Sequence, residues 1–318
     1  MLITILLLIV GLVILIASGD SVVKGSASVA KKLGVSPLVI GLTVVAFGTS
    51  APELVVNIFS AIKGTADIAI GNVIGSNISN ILLILGICAL TRQLKVQVGT
   101  VWKEIPLALL SVILVLILGN DIFIDGAGFN ILSRADGFVL ISFFFIFIYY
   151  TFGISKVEAK DEGDVKEYAW SFSIFLTLLG FVGLVLGGKL LVDNAVILAR
   201  LAGMSEALIG LTIIAVGTSL PELVTSVIAV KRGQDDIAIG NIVGSNIFNI
   251  FWVLGLTSTL LPLPFNTAIN IDVGVNIFAT FLLFIFMFVH NRRKVDRWQG
   301  AVMILLYIGY LTYLIHRG

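Results

Sequence analysis

Two carboxylates, Glu53 and Glu222, stand in apolar sequence that carries no other charge nearby: FGTSAPELVV surrounds the first and VGTSLPELVT the second. A charge at the centre of a bilayer costs at least about 2.5–3.5 kcal/mol. No Lys, Arg or His falls in the core of the apolar runs to neutralise either acid. Both acids are therefore protonated, or a cation sits between them. The residues around them bear on the choice. Pro52 and Pro221 have no amide hydrogen to donate, and Gly48 and Gly217 permit unusual backbone angles. A helix broken there is expected to free carbonyls of Ala46, Thr49, Ala215 and Thr218, and backbone so exposed is tolerated at membrane depth only where it lines a cavity. Thr49, Ser50, Thr218 and Ser219 add hydroxyls.

A second motif follows each acid. In GNVIGSNISN, the residues Asn72, Ser76 and Asn80 recur every fourth position and share one helix face. Asn241, Ser245 and Asn249 repeat the arrangement in GNIVGSNIFN. A bare amide facing lipid is costly, so these asparagines are expected to point inward. Gly71, Gly75, Gly240 and Gly244 are expected to admit a neighbouring helix at close range. The collected donors are carboxylate, hydroxyl, amide and carbonyl oxygens, which suit Ca2+ or Na+ and not the transition metals that prefer His and Cys. His290 and His316 are expected at membrane interfaces, and Cys88 is the single cysteine. There is no HExxH motif, and a Ser/His/Asp set fails for want of a core histidine, so an enzyme is not expected.

These residues must be positioned by membrane-spanning helices. Of 318 residues, 58% are hydrophobic and 12% charged, against about 25% charged in ordinary globular domains. Charge-free runs occupy 1–19, 68–91, 105–120, 137–155, 168–188, 237–271 and 273–291. Several reach the roughly 17–25 residues that cross the hydrocarbon. We read ten spans, near 2–18, 36–62, 68–90, 103–119, 135–153, 169–187, 205–230, 237–260, 272–289 and 299–315. The N-terminal run lacks a basic n-region and reads as a retained span. Residues 20–34 are expected to continue the first helix, and Pro262 and Pro264 to stop the eighth. The segment 154–168 reads as a flexible linker. With the N-terminus outside, fifteen of the twenty Lys and Arg residues fall on the inner side and five on the outer, which places both termini outside the cell membrane.

Residues 36–86 align with 205–255 at a constant offset of 169, without a gap and with 28 identities in 51 positions. Two five-span halves, 1–153 and 169–318, must insert with opposite topologies because each crosses an odd number of times. The expected fold is an all-α integral membrane protein of two inverted repeats, broken at helices 2 and 7, which is the architecture of many secondary transporters.

The paired motifs GTSAPE…GNVIGSNISN and GTSLPE…GNIVGSNIFN resemble the two alpha-repeats of the calcium/cation antiporter superfamily, specifically prokaryotic sodium/calcium exchangers. The resemblance covers nearly the whole chain. It implies a central site between spans 2, 3, 7 and 8, in which Glu53 and Glu222 bind Ca2+ and share in binding Na+. Thr49, Ser50, Ser76, Thr218, Ser219 and Ser245, with carbonyls of Ala46 and Ala215, would complete the ion sites. It further implies three Na+ per Ca2+. Some members carry aspartate at one of the positions matching Asn80 and Asn249, and here both are amides. That departure favours exchange without K+ or H+. The ions are substrates, and no cofactor, nucleic acid or obligatory protein partner is expected besides the lipid bilayer. A proton/Ca2+ antiporter, a passive cation channel and a transporter of another substrate remain open on the residues alone.

Overall fold

Lipid offers the backbone no hydrogen-bond partners, so apolar segments of this length must satisfy their own amides and carbonyls as helices. The computed structural model bears this out for the residues it describes, 1–154, 166–204 and 215–317. In chain order the helices are α1 (Leu2–Leu33), α2 (Pro37–Thr49), α3 (Ala51–Ile62), α4 (Ala66–Thr91), α5 (Thr100–Leu118), α6 (Asp121–Asp125), α7 (Arg134–Ile154), α8 (Trp170–Leu201), α9 (Ala215–Gly217), α10 (Leu220–Lys231), α11 (Asp235–Leu260), α12 (Thr267–Phe286) and α13 (Arg297–Arg317). Eight of them are long and apolar enough to span a membrane, and the bent pair α2–α3 makes a ninth candidate. Residues 205–214 of the expected 205–230 span, and 155–165 of the 154–168 linker, lie outside the described residues.

Helix α1 continues through residues 20–33 as expected, and α8 runs past the expected end of its span near residue 187. Helices α1 and α8 each run for 32 residues, about 48 Å at 1.5 Å per residue, well beyond the roughly 30 Å of hydrocarbon. Lys24, Lys31 and Lys32 in α1 and Lys189 and Arg200 in α8 therefore sit on helices and not in loops. The two helices pack along their length through glycine. A Cβ on Gly11 would lie 2.8 Å from the Leu191 nitrogen, and one on Gly187 2.8 Å from the Leu15 nitrogen. Helix α11 ends at Leu260, before Pro262 and Pro264, as the prolines require.

The centre of the molecule is made by α4 and α11. Their apolar windows are 78% and 94% buried within the protein, whereas those of the other six long helices reach at most 44%. Each central helix contains a widened π turn, at Ser79–Ile84 and Asn249–Leu254. Such turns insert a residue into the helical ladder and are frequent at functional sites.

Helices α2 and α3 meet at Ser50 with a bend of 43°. Ser50 has φ −83° and ψ 4°, and Ser219, between α9 and α10, has φ −86° and ψ 5°. Both leave the helical register in the same way, and Pro52 and Pro221 open the next helix in each case. Gly48 and Gly217 play a different part from the one expected. Neither has positive φ; their missing side chains admit Phe181, whose ring would lie 2.2 Å from a Cβ on Gly48, and Val192, 2.7 Å from one on Gly217.

Two short antiparallel clips, which periodicity could not foretell, tie the halves together. Strand β1 (Leu94–Lys95) pairs with β4 (Lys294–Val295), and β2 (Ile131–Leu132) pairs with β3 (Leu263–Pro264). Around the first clip Arg92 bonds Asp235, Gln93 bonds Asp296 and Gln97 bonds Asp236. Around the second, Asn120 bonds Asn270, Asn266 bonds Asp67 and Arg317 bonds Asp272. The two clips mark the two faces of the helical slab.

Candidate ion-binding site

Glu53 lies in the first turn of α3 and Glu222 in the first turn of α10, and both are fully buried. Each helix thus begins beside a carboxylate, where its exposed amides carry partial positive charge. Ser76 on α4 donates to Glu53 Oε1 at 3.3 Å, and its repeat mate Ser245 on α11 donates to Glu222 Oε1 at 3.5 Å. The serines at the breaks reach across the halves. Ser50 donates to Glu222 Oε1 at 3.1 Å, and Ser219 donates to Ser76 Oγ at 3.3 Å. Thr49 donates to Asn241 Oδ1 at 3.0 Å, and Thr218 to Asn72 Oδ1 at 3.4 Å. The two motifs of each half are therefore joined to those of the other half around both acids.

Below this layer lies a quartet of amides. Asn77 and Asn246 each donate to the other's carbonyl, at 3.0 and 3.3 Å. Asn80 donates to Asn246 Oδ1 at 2.9 Å, and Asn249 to Asn77 Oδ1 at 3.0 Å. All four residues are buried. Since each side-chain amide nitrogen of Asn80 and Asn249 is committed to a neighbour, each oxygen is left over. Asn80 Oδ1, Asn249 Oδ1, Glu53 Oε2 and Glu222 Oε2 are buried and have no hydrogen-bond partner among the described residues. Four such acceptors in two repeat-related pairs would be costly in a site that never holds a cation.

Most of the residues singled out from sequence are buried here: Thr49, Ser50, Glu53, Ser76, Ser219, Glu222 and Ser245 in the layer of the acids, with Thr218 at its edge, and Asn80 and Asn249 in the amide quartet. Ala46 differs in one respect. Its carbonyl is not free, because it accepts from the Ser50 amide at 3.0 Å and from the Thr49 hydroxyl at 3.3 Å. Ala215 opens α9 just before the second break. Sequence reasoning missed Asn77 and Asn246, although both motifs carry them as GSN, and missed Asn57 and Ser226, which bond Asn72 and Asn241. It also overlooked two buried acids nearer the helix ends, Glu104, which accepts from Tyr150, and Asp272.

Two cavities approach the cluster. A cavity of about 360 Å3 extends from Asn72, Ser76 and Thr218 to Asp272, Tyr310 and Arg317. A second, of about 350 Å3, runs between α3 and α8 past Pro52 to Gly217, Thr218 and Pro221.

Residues 3–153 and 172–316 match the family described as sodium/calcium exchanger protein. The chain belongs to that family. Its architecture is also that of the solved sodium-calcium exchanger NCX_Mj soaked with 10 mM Na+ and zero Ca2+, with a TM-score of 0.84, 34% identity and 98% of each chain covered. Among curated proteins it is 34% identical to the sodium/calcium exchanger MaX1 of Methanosarcina acetivorans, over 98% of both chains. It is 38% identical to the inner membrane protein YrbG of Escherichia coli, over 82% of this chain and 81% of that protein. The sodium/calcium exchanger family comprises transporters and not enzymes. Within this exchanger, Gly240 and Gly244 do what small residues on a central helix are expected to do. A Cβ on Gly240 would lie 2.7 Å from the Leu38 oxygen, and one on Gly244 2.8 Å from the Leu42 oxygen, so α11 rests directly on the backbone of α2. At Gly71 and Gly75 no described atom lies within 4 Å of such a Cβ; both glycines line the larger cavity.

Proposed function

We propose that the chain exchanges Ca2+ for Na+ by alternating access, with the ions held between Glu53 and Glu222. The observation that carries this reading is the set of four buried oxygens without partners, two from carboxylates and two from amides, at positions related by the repeat. Oxygen donors of this kind suit Ca2+ and Na+, and the two carboxylates match the charge of one Ca2+. The names of the exchanger relatives support the same substrates. Thr49, Ser50, Ser76, Thr218, Ser219 and Ser245, with the carbonyls of Ala46 and Ala215, supply the remaining ligands; the Ala46 carbonyl does so once it releases the Thr49 hydroxyl. In this reading residues 1–153 and 169–318 form two inverted five-helix halves, with broken helices 2 and 7. The segment 154–168 joins them on the cytoplasmic side, with both termini outside the cell membrane.

The hydroxyls and carbonyls around each acid provide sites for monovalent cations that add no negative charge. More than two Na+ can then replace one Ca2+, and the exchange moves net charge. Because Asn80 and Asn249 are amides, they supply no further carboxylate to take up a proton or balance a K+. Uptake of 45Ca2+ into proteoliposomes preloaded with Na+, K+ or only a proton gradient tests the coupling ion. Flux is expected from Na+-loaded vesicles alone, and an inside-negative potential set with valinomycin should favour Na+ influx with Ca2+ efflux. Flux driven by a pH gradient without Na+ would make the protein a proton/Ca2+ antiporter, and indifference to voltage would mean electroneutral exchange. Glu53→Gln or Glu222→Gln should abolish Ca2+ flux while the protein still inserts, since removing a buried charge lowers the cost of insertion.

A further inference from the structure

The larger cavity ends in an ion pair that the transport reading does not use. Asp272, near the start of α12, is 7% exposed, and its carboxylate is held by three donors. Tyr310 Oη donates to Oδ1 at 3.0 Å, Arg317 Nη1 to Oδ1 at 3.2 Å and Arg317 Nη2 to Oδ2 at 2.9 Å. Arg317 lies in the last turn of α13 with about a third of its side chain exposed, so the acid is anchored and the base is at the water's edge. The Arg317 guanidinium also lies 5.6 Å from the centre of the Tyr313 ring, a second surface on which a cation can rest. At the cavity's far end stand Asn72 and Ser76, and Ser76 bonds Glu53.

We propose that Arg317 is a tethered cation occupying a mouth site, Asp272, which an incoming Ca2+ or Na+ must take from it on the way to Glu53. This rests on the reading of the protein as a cation exchanger. The argument is one of charge and reach. A cation leaving water for a narrow, mostly apolar cavity needs a carboxylate at its mouth, because a cleft lined by one sign of charge concentrates ions of the other. Asp272 provides that carboxylate, but paired with Arg317 the mouth is neutral. When the guanidinium releases Asp272 and keeps only its place over the Tyr313 ring, Asp272 and the Tyr310 hydroxyl face the cavity as a station of hard oxygens. The pair would thus set the concentration at which ions enter from this face. The site between Glu53 and Glu222 sets which ions are exchanged.

Arg317→Gln and Asp272→Asn should act in opposite directions. The first is expected to lower the Ca2+ concentration for half-maximal uptake from this face by roughly threefold to tenfold, and the second to raise it by a similar factor. Both effects should shrink in high choline chloride, which screens charge at the mouth. A readout that needs no exchange accompanies them: Leu311→Cys on the cavity wall, labelled with a cationic and an anionic methanethiosulfonate. The ratio of cationic to anionic labelling rates should rise in Arg317→Gln and fall in Asp272→Asn. If Na+ drives no Ca2+ flux in the unaltered protein, the exchanger reading fails, and the reagent ratio still decides the mouth site. If both substitutions shift uptake in the same direction, or the ratio stays fixed, Arg317 and Asp272 are a structural tie and the proposal is wrong.

Discussion

Asn77 donates to the main chain of Asn246 and accepts from Asn249, and Asn246 does the same in reverse for Asn77 and Asn80. Truncating either one therefore removes a donor and leaves a neighbouring amide unpaired. Hydrogen bonds between membrane helices are worth about 0.6–2 kcal/mol. Asn77→Ala or Asn246→Ala should each cost about that much, and the double variant should cost less than the sum because both delete the same network. Thermal unfolding in detergent measures this; strictly additive losses would show that the quartet is not one unit. These asparagines escaped the sequence reading for a physical reason. Counting every fourth residue from Asn72 finds one face of α4, and Asn77 is off it by about 100°. That count assumes a helix with an inside and an outside. Helices α4 and α11 are enclosed on nearly all sides, so polar residues off the expected face are buried as well. The acids, by contrast, were legible at once, because an uncompensated carboxylate in apolar sequence has few explanations.

At the scale of elements, helix existence was plain from apolar length, and helix ends were not. Helix α1 continues to Leu33, as residues 20–34 were expected to, its last turns bearing the Asp20–Lys24 pair and Asp20 also bonding Arg232, whereas α8 runs past the expected end near 187 to Leu201. The clips of two residues each carry too little pattern to be seen. Glycines also divide in a way their spacing hides. Gly240 sits against the backbone of Leu38 and Leu42, while Gly71, its repeat mate, lines the cavity. Gly240→Ala would push a methyl to within 2.7–2.8 Å of main-chain atoms that cannot rotate aside. It should lower stability by about 1–3 kcal/mol, the range for overpacked sites. Gly71→Ala meets no described atom and should not lower it, since Ala favours a helix over Gly by about 1 kcal/mol. Equal melting losses for the two variants would refute this account of how α11 rests on α2.

At the scale of the whole molecule, contacts sort residues into two faces and the basic residues predict which of them is inside. Contacts group Arg92, Lys95, Asp235 and Asp296 on one face and Asp67, Asn120, Asp272 and Arg317 on the other. By the sequence count, thirteen of the eighteen basic residues among those described fall on the side of the first group, and inner loops gather Lys and Arg. The first face is therefore expected in the cytoplasm and the second outside. Lys95→Cys and Phe123→Cys test this, since Lys95 is exposed beside the first clip, Phe123 is 90% exposed near the second, and Cys88 is buried. An impermeant maleimide should label residue 123 in intact cells and residue 95 only after permeabilisation. The result also fixes where the cavity leads. With residue 123 outside, Asp272 and Arg317 guard the passage from the outer solution to Ser76, and Arg317→Gln should change the response to external Ca2+. Labelling of residue 95 from outside would reverse the orientation, and the same substitution would then act on Ca2+ arriving from the cytoplasm.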